Sequence, residues 1–269
     1  MNILINISEV SIITGDNPFK TRREFFIDFW RKNAKADYQK YSSMTEFVKE
    51  TDMDVIKKIA NANNIDLSTD LAHCSASRNT TDLNSLKTEI LKKIDKLDPV
   101  QKAEISASIK NITNTKFGIK NEYDIAILYN KLTGLTIVKD NRYRKIELAR
   151  CDDMVFSLGG KIDGICSENG CIIEIKNRVN RIFYELRDYE KVQIMCYLFL
   201  HSSEKGQLVE ALKKKDGTDI NVIDVDFDHI YMNSIKEKLI KFIAFFVKFM
   251  ASEKMKIDIL QKNDEINFY

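Results

Sequence analysis

The sequence predicts an α/β protein in which a mixed sheet is flanked by helices and a helical region occupies the N-terminal half. Two observations support this class. Residues 36–112 hold three amphipathic helical patterns separated by stretches rich in Ser, Thr and Asn. From residue 117 onward, short β-like runs alternate with helical patterns, an order typical of helices packed on a sheet.

The composition agrees with a large buried core. Of 269 residues, 44% are hydrophobic and 30% are charged, which excludes a disordered or collagen-like chain. The chain has 42 Lys+Arg and 40 Asp+Glu, so its formal net charge is +2. A near-neutral total does not exclude nucleic-acid binding, because local patches set the electrostatic field.

The cysteines and the apolar segments indicate a soluble intracellular protein. The five cysteines contain no C-x-x-C pair, which argues against a disulfide scaffold and a four-thiolate metal site. The first residues lack the pattern of a signal peptide. The most apolar helical segment, Ile235–Met250, carries four lysines, so we expect no membrane span.

The N-terminal half is predicted to be helical. The pair Thr21 and Glu24 predicts a capping box, and an aromatic face follows it, so we expect a helix over residues 20–34. Further helices are predicted at Glu50–Asn64, Leu83–Leu97 and Gln101–Ile112. We therefore divide the chain into an N-terminal segment (1–35), a helical insertion (36–116) and an α/β core (117–269).

The C-terminal half is predicted to contain the sheet. Helices are expected at Asn121–Leu132, at Tyr189–His201 and around the apolar positions of Ile235–Phe249. Strands are expected at Leu135–Lys139, Asp153–Leu158, Lys161–Cys166, Cys171–Lys176 and Ile220–Phe227.

Three charged residues in this half form the strongest candidate site. Asp163 precedes a glycine, and Glu174 and Lys176 alternate on one strand, so these two side chains share a face. A turn at Ser167–Gly170 folds the Asp163 strand back beside the Glu174 strand. Two carboxylates and a nearby backbone carbonyl suit Mg²⁺ or Mn²⁺. An E-x-K pair on an amphipathic strand is, however, also typical of a solvated face.

The pattern Asp163…Glu174-x-Lys176 resembles the PD-(D/E)xK nuclease motif, with Ile162 in place of the frequent proline. Three more segments resemble conserved parts of one nuclease family. They are Ile7-Ser8-Glu9-Val10 with Gly15-Asp16-Asn17-Pro18-Phe19-Lys20-Thr21, the helix Gly118–Ala126, and the helix Tyr189–Tyr197. Together they resemble the YqaJ/lambda-exonuclease family of viral recombination nucleases, over residues 5–30 and about 117–250.

The resemblance implies a restriction-endonuclease-like core that hydrolyses DNA with one or two Mg²⁺ (or Mn²⁺) ions. Asp163, Glu174 and the Ile175 backbone carbonyl would hold metal, and Glu122 would complete the metal site directly or through water. Lys176 would position the attacking water. Gln193 would order the nucleophile or the scissile strand. A plain alternative for Glu122 is an acid at a helix start, which the helix dipole favours.

The resemblance also implies contacts to DNA. Ser8 matches the family serine near the pocket for the 5′-phosphate. The arginine that usually precedes this serine is missing, and Arg22, Arg23 or Arg31 are candidate replacements. Arg178 and Arg181 follow the E-x-K strand and are interleaved with aromatic residues, so they are candidate phosphate contacts, although acidic neighbours make a mixed surface an alternative.

For the whole protein, the resemblance implies 5′→3′ resection of double-stranded DNA ends, leaving 3′ single strands for recombination. It further implies a viral or phage origin, a single-strand-annealing protein as partner and a ring trimer around DNA. Two alternatives stay open. The chain could be a metal-dependent endonuclease on DNA or RNA, or a DNA-end-binding or assembly protein that kept only the fold.

Overall fold

The computed structural model describes residues 1–120 and 122–269. The strands are β1 (Asn2–Asn6), β2 (Ile137–Val138), β3 (Arg144–Cys151), β4 (Met154–Gly160), β5 (Gly164–Cys166), β6 (Ile172–Asn177), β7 (Lys205–Lys213) and β8 (Thr218–Asp226). The helices are α1 (Ile7–Thr14), α2 (Arg22–Asn33), α3 (Lys35–Met44), α4 (Asp52–Ala62), α5 (Ser68–Ala76), α6 (Thr80–Lys93), α7 (Pro99–Lys120), α8 (Glu122–Thr133), α9 (Asp188–His201), α10 (His229–Met250) and α11 (Glu253–Gln261).

The strands of the described chain form two sheets. One has the order β1-β4-β3, with β1 parallel to β4 and β3 antiparallel to it. The other has the order β2-β5-β6-β7-β8, in which β6 and β7 are parallel and the remaining pairs are antiparallel. The predicted α/β class, with a mixed sheet, flanking helices and an N-terminal helical region, is therefore confirmed.

Several elements were not predicted from the sequence. The strands β1, β3 and β7 and the helices α1, α3, α5 and α11 are additions to the predicted set. Strand β3 reads RKIELARC and is exposed or half-buried along its length, so it lacks the clean alternation that marks a strand. Its partner β4 is the buried strand of that pair. The predicted helix start at Asn121 lies outside the described residues.

The largest hydrophobic cluster joins the N-terminal segment to the C-terminal helices. Phe26 of α2 lies edge-on to Phe249 of α10, with 4.8 Å between the ring centroids. Phe29 of α2 packs against Phe242 of α10 at 5.1 Å. Such edge-to-face aromatic pairs add to the free energy gained by burying the rings. The two ends of the chain therefore contribute to one core.

Helices α4 to α7 form a second core of their own. We call residues 52–120 the helical module. Its buried side chains include Leu83, Ile90, Ile105 and Phe117. Helix α3 belongs to the larger cluster instead, since Tyr38 lies 5.2 Å from the Trp30 ring. The three-part division of the chain stays a prediction, and by packing the helical module begins after α3.

Within the described residues, no helix is both long enough and apolar enough to cross a membrane.

Candidate active site

A tight hairpin brings the predicted acidic residues together. Strand β5 is antiparallel to β6, with Gly164 opposite Ile173, and the Gly170 N–H donates to the Cys166 carbonyl at 2.9 Å to close the turn. Gly170 has a φ of +69°, which glycine adopts without strain. The predicted fold-back of the two strands at Ser167–Gly170 is confirmed.

The glycine after Asp163 is required by the space around it. A Cβ atom at Gly164 would lie 2.4 Å from Ile137 Cγ2 and 3.1 Å from the Val138 carbonyl oxygen, both in β2. No side chain tolerates such distances without a shift of the neighbouring strand. Gly164 thus allows β2 to approach β5 closely, directly beside the candidate site.

Asp163 lies just beyond the end of the β5–β6 pairing. Its side chain accepts a hydrogen bond from β6 in place of a backbone carbonyl. The Ile175 N–H donates to Asp163 Oδ2 at 2.7 Å, where β5 no longer supplies a backbone acceptor. In an extended strand, the N–H and C=O of one residue point to the same side. The Ile175 carbonyl therefore faces the same edge of β6 as Asp163, as a shared metal site would need.

Asp163 is surrounded by negative charge. Burial and the charges of Glu174 and Glu122 raise the pKa of its carboxyl, the Ile175 N–H and Lys176 lower it, and the net result is a pKa of about 8. A carboxyl group with such a raised pKa binds a proton or a cation at neutral pH. Perturbed pKa values of this kind concentrate at functional sites.

Glu174, Lys176 and Gln193 form a closed hydrogen-bonded triangle. Lys176 Nζ donates to Glu174 Oε1 at 2.7 Å and to Gln193 Oε1 at 2.9 Å. Gln193 Nε2 in turn donates to the same Glu174 oxygen at 2.8 Å. The Glu174 side chain is only 7% exposed and that of Lys176 is 24% exposed. The triangle leaves Lys176 reachable from solvent while fixing its direction.

The protonated form of Lys176 is favoured. Burial lowers the pKa of the amine, but the charge and hydrogen bond of Glu174, together with Glu190 and Asp163, outweigh burial and raise the pKa above its ordinary value. Without a metal, Lys176 is therefore a cation that neutralises Glu174. Such a group can hold a water molecule or balance charge that develops on a phosphate.

Helix α9 supplies the wall opposite β6. Glu190, Gln193 and Tyr197 are spaced by three and four residues, so they lie on one face of the helix. Gln193 Nε2 reaches the Tyr197 hydroxyl at 3.5 Å. Burial raises the pKa of Tyr197 well above its ordinary value, with Glu174 adding to the effect, so the hydroxyl stays protonated.

Arg178 lies in a buried ion cluster rather than on the surface. Its guanidinium donates to Glu190 Oε1 at 2.6 Å and Oε2 at 3.0 Å, and its Nε donates to Glu210 Oε1 at 2.8 Å. Glu210 also accepts the N–H groups of Phe183 and Tyr184. The cluster fastens the loop between β6 and α9 to β7, and we retain no phosphate contact for Arg178.

Arg22 and Arg23 contact the C-terminal segment. The Arg22 guanidinium lies 4.7 Å from the centroid of the Tyr269 ring, and the Arg22 backbone N–H donates to Glu265 Oε1. Arg23 donates to the carbonyls of Lys262 and Ile259. Both side chains are thus engaged in holding α2 to the end of the chain.

Ser8 and Arg181, two further predicted DNA contacts, are exposed. Ser8 lies in the first turn of α1, and the start of this helix lies beside the site, because a Cβ at Gly160 would lie 2.9 Å from Tyr197 Cε1 and 3.2 Å from Ile7. Arg181 is exposed, and its guanidinium stacks 5.1 Å from the centroid of the Phe183 ring.

Glu122 begins α8 and lies near the site without joining the triangle. Its Oε2 is 3.5 Å from Lys139 Nζ, and its charge raises the pKa of Asp163. Over residues 1–120 and 122–269, no group of three or more Asp, Glu, His or Cys side chains is arranged to hold a metal ion. Two carboxylates and one carbonyl still suit Mg²⁺, which keeps several waters. In this geometry, Glu122 would contact the metal ion through a bound water molecule.

The sequence analysis missed Glu190, Glu210 and Tyr197. Glu190 stands three residues before Gln193, so helical spacing could have placed both on the face toward β6. Glu210 pairs in register with Lys176 across β6 and β7, but β7 itself was not predicted.

No protein-family model matches the sequence, and a search of curated proteins gives no match. Among solved structures, the protein SSO0001 shares 17% identity at a TM-score of 0.36, over 79% of this chain and 96% of that chain. An alkaline exonuclease, LHK-Exo from Laribacter hongkongensis, shares 12% identity at a TM-score of 0.36, over 68% of this chain and 87% of that chain. A phage-related exonuclease from Haemophilus somnus 129PT shares 11% identity at a TM-score of 0.37, over 88% of this chain and 91% of that chain.

These are distant structural similarities. Both the identities and the TM-scores are low.

Proposed function

We propose that this protein is a metal-dependent phosphodiesterase that hydrolyses DNA. The observation that carries the proposal is Asp163, a half-buried carboxyl group whose pKa is raised to about 8 by burial and by the charges of Glu174 and Glu122, with the Lys176–Gln193 pair within the same site. Neighbouring carboxylates repel one another and so do not stabilise the fold, whereas a divalent cation would be attracted to them.

Each residue has a role in this proposal. Asp163, Glu174 and the Ile175 carbonyl would hold the ion, which supplies Lewis-acid polarisation of the phosphate and a more acidic bound water. Lys176 would hold the attacking water and balance charge on the phosphate. Gln193 fixes the direction of Lys176 through the 2.9 Å hydrogen bond. Tyr197 would keep Gln193 oriented.

The narrower proposal is a 5′→3′ exonuclease that acts on double-stranded DNA ends. It rests on the order of the four sequence segments that resemble the YqaJ/lambda-exonuclease family. A single-strand-annealing partner and a trimeric ring belong to the same narrower proposal. Ser8, exposed at the start of α1, would contact the 5′-phosphate, and Arg181 would contact the backbone.

A second candidate function is endonucleolytic cleavage of DNA or RNA. The observation that favours it is the position of Arg22 and Arg23, whose side chains are occupied by C-terminal residues. A pocket for a free 5′-phosphate would then lack Arg22 and Arg23, two of the three candidate arginines. An endonuclease needs no such pocket.

The test is Mg²⁺-dependent digestion of a linear duplex labelled at either end, beside a covalently closed circle and a single-stranded RNA. For the exonuclease, we expect early loss of the 5′ label and an intact circle. Cleavage of the circle or the RNA would select the endonuclease. No metal-dependent cleavage of any substrate would overturn the enzymatic proposal in favour of a binding protein.

A further inference from the structure

A cleft with a polar rim lies on the helical module, outside the candidate active site. It opens between α6 and α7, has a volume of about 270 Å³ and is closed on one side by the loop after β6. We call it the Lys87 cleft. Its polar rim consists of Asn84, Lys87, Lys110, Asn114 and Asn180. Its apolar wall is formed by Ile90, Leu91 and Ile109.

The two lysines of the cleft have no acidic partner within the described residues. Lys87 Nζ donates to Asn114 Oδ1 at 2.6 Å, and no Asp or Glu pairs with Lys87 or Lys110 there. Burial lowers the pKa of Lys87, and the charge of Lys110 lowers it further. The buried Lys256, by contrast, is paired with Asp37. Two neighbouring cations without a counter-charge favour an anion between them.

The wall of the cleft is apolar and preformed. Ile90 and Ile109 belong to the buried core of the helical module, whereas Leu91 is 44% exposed at the cleft. A phosphate ion alone has no apolar surface to pack against this wall. A purely apolar ligand would leave the lysines without an anionic partner. A flat ring that carries a phosphate satisfies both parts.

The cleft has a defined position relative to Lys176. Asn177 Nδ2, at the end of β6, donates to the Phe117 carbonyl of α7 at 2.9 Å. Val179 packs against the core of the helical module. Asn180 lies four residues after Lys176, so their Cα atoms are at most about 14 Å apart. A nucleic-acid strand that leaves the candidate active site can therefore reach the cleft.

We infer that the Lys87 cleft binds one nucleotide of a nucleic-acid strand. Lys87 and Lys110 hold its phosphate, the base lies against Leu91 above the buried Ile90 and Ile109, and the asparagines at the rim offer hydrogen bonds to the base edge. The inference rests on the proposed function for the source of the strand. It assigns the helical module the task of guiding that strand.

The test measures binding without cleavage. The full-length protein, in chelator, is titrated with a short fluorescent single strand at several salt concentrations. The variant Lys87→Gln/Lys110→Gln keeps side-chain size and removes both charges. We expect its affinity to fall about tenfold and the slope of log K against log salt to fall by about 0.7 for each lost phosphate contact.

A matched variant controls for net charge. Lys92→Gln/Lys96→Gln removes two charges from the same module at exposed positions outside the cleft, and it should bind like wild type. Lys110→Gln alone is an exposed change that the fold tolerates. Asn180→Asp, which adds a negative charge from a different element, should also weaken binding. Thermal unfolding verifies that each variant is folded.

The outcomes separate this inference from the nuclease proposal. Equal affinity and salt slope for wild type and the cleft variants would overturn the inference, whatever the cleavage assay shows. Weaker strand binding in a protein that cleaves nothing would support the cleft and count against the nuclease. A deoxynucleoside monophosphate bound as tightly as the strand, and lost in the same variants, would assign the cleft to free nucleotides.

Discussion

Two polar clusters lie near the α9 face of β6, and they differ in whether every charged group has a partner of opposite charge. In the first, Arg178 pairs with Glu190 and Glu210. Burial raises the pKa of Glu210, but the Phe183 N–H, Asn221 and Arg178 outweigh it and lower the pKa overall. In the second, burial and neighbouring acids raise the pKa of Asp163 to about 8.

This difference indicates that the Arg178 cluster stabilises the fold and that the Asp163 cluster is a candidate ligand site. Buried charges that have all their partners hold elements in place. Buried charges that lack a partner persist when a ligand supplies the missing charge, and they reduce the free energy of unfolding until it binds. On one sheet face, Glu210 therefore serves to anchor a loop, whereas Asp163 is available for a cation.

The largest expected effect is on cleavage by Lys176→Ala. Loss of a group that holds the attacking water should lower the rate by about 10²–10⁴-fold, while DNA binding in chelator is retained. The measurement is single-turnover digestion of a labelled duplex. Lys214→Ala removes an exposed lysine paired with Asp219 and should digest DNA like wild type. Full turnover by Lys176→Ala would remove this residue from the catalytic site.

The cluster of Arg178, Glu190 and Glu210 should be tested by Glu210→Ala. This change leaves the buried Arg178 with one carboxylate and strips the acceptor from the Phe183 and Tyr184 N–H groups. We expect a loss of about 3–5 kcal/mol in the free energy of unfolding. Urea titration followed by circular dichroism measures it. Glu204→Ala, at an exposed position, is the control, and an equal effect of both changes would contradict the anchoring role.

The cluster that contains Asp163 should become more stable when Mg²⁺ is added. If Mg²⁺ binds at Asp163, a concentration a hundred times its Kd should stabilise the fold by about 2.7 kcal/mol. Asp163→Asn should lose most of this stabilisation, whereas the exposed Asp216→Asn should keep it. Thermal unfolding with and without Mg²⁺ gives the answer independently of activity. An identical rise in melting temperature for all three proteins would place the ion elsewhere.

The smallest effect concerns the hairpin that sets Asp163 beside Glu174. The Thr136 N–H donates to both carboxylate oxygens of Glu168, at 3.0 and 2.9 Å. These bonds, with smaller contributions from the side chains of Cys166, Thr136 and Ser167, lower the pKa of Glu168 from 4.5 to about 2. Because the folded pKa is depressed, the stabilisation is present above pH 4.5 and is lost as the pH falls toward 2.

Glu168→Gln should therefore flatten this acid limb of the stability profile. Unfolding by urea at a series of pH values compares the two proteins, with the exposed Glu185→Gln as control. An unchanged acid limb in Glu168→Gln would mean that the turn contributes nothing to the pH dependence.

Local pattern was enough to locate much of the fold. The β5–β6 hairpin was predicted because turn residues separate two apolar runs, and α2 because of its capping box, which the structure forms between Thr21 and Glu24. Strand β7 was missed although it is central to its sheet. Its sequence, KGQLVEALK, also suits a helix, and pairing with β6 and β8 settles its conformation.

The sequence by itself determined that Asp163, Glu174 and Lys176 would share one end of a hairpin, because strand alternation and a short turn leave few other arrangements. Only the tertiary structure decided which charges are paired. Arg178 follows Lys176 by two residues and has the same appearance in the sequence, yet Glu190 from α9 and Glu210 from β7 enclose it. Whether a charged side chain is paired or free to bind a ligand depends on residues that are distant in sequence. Only the packing of the folded chain brings those residues into contact.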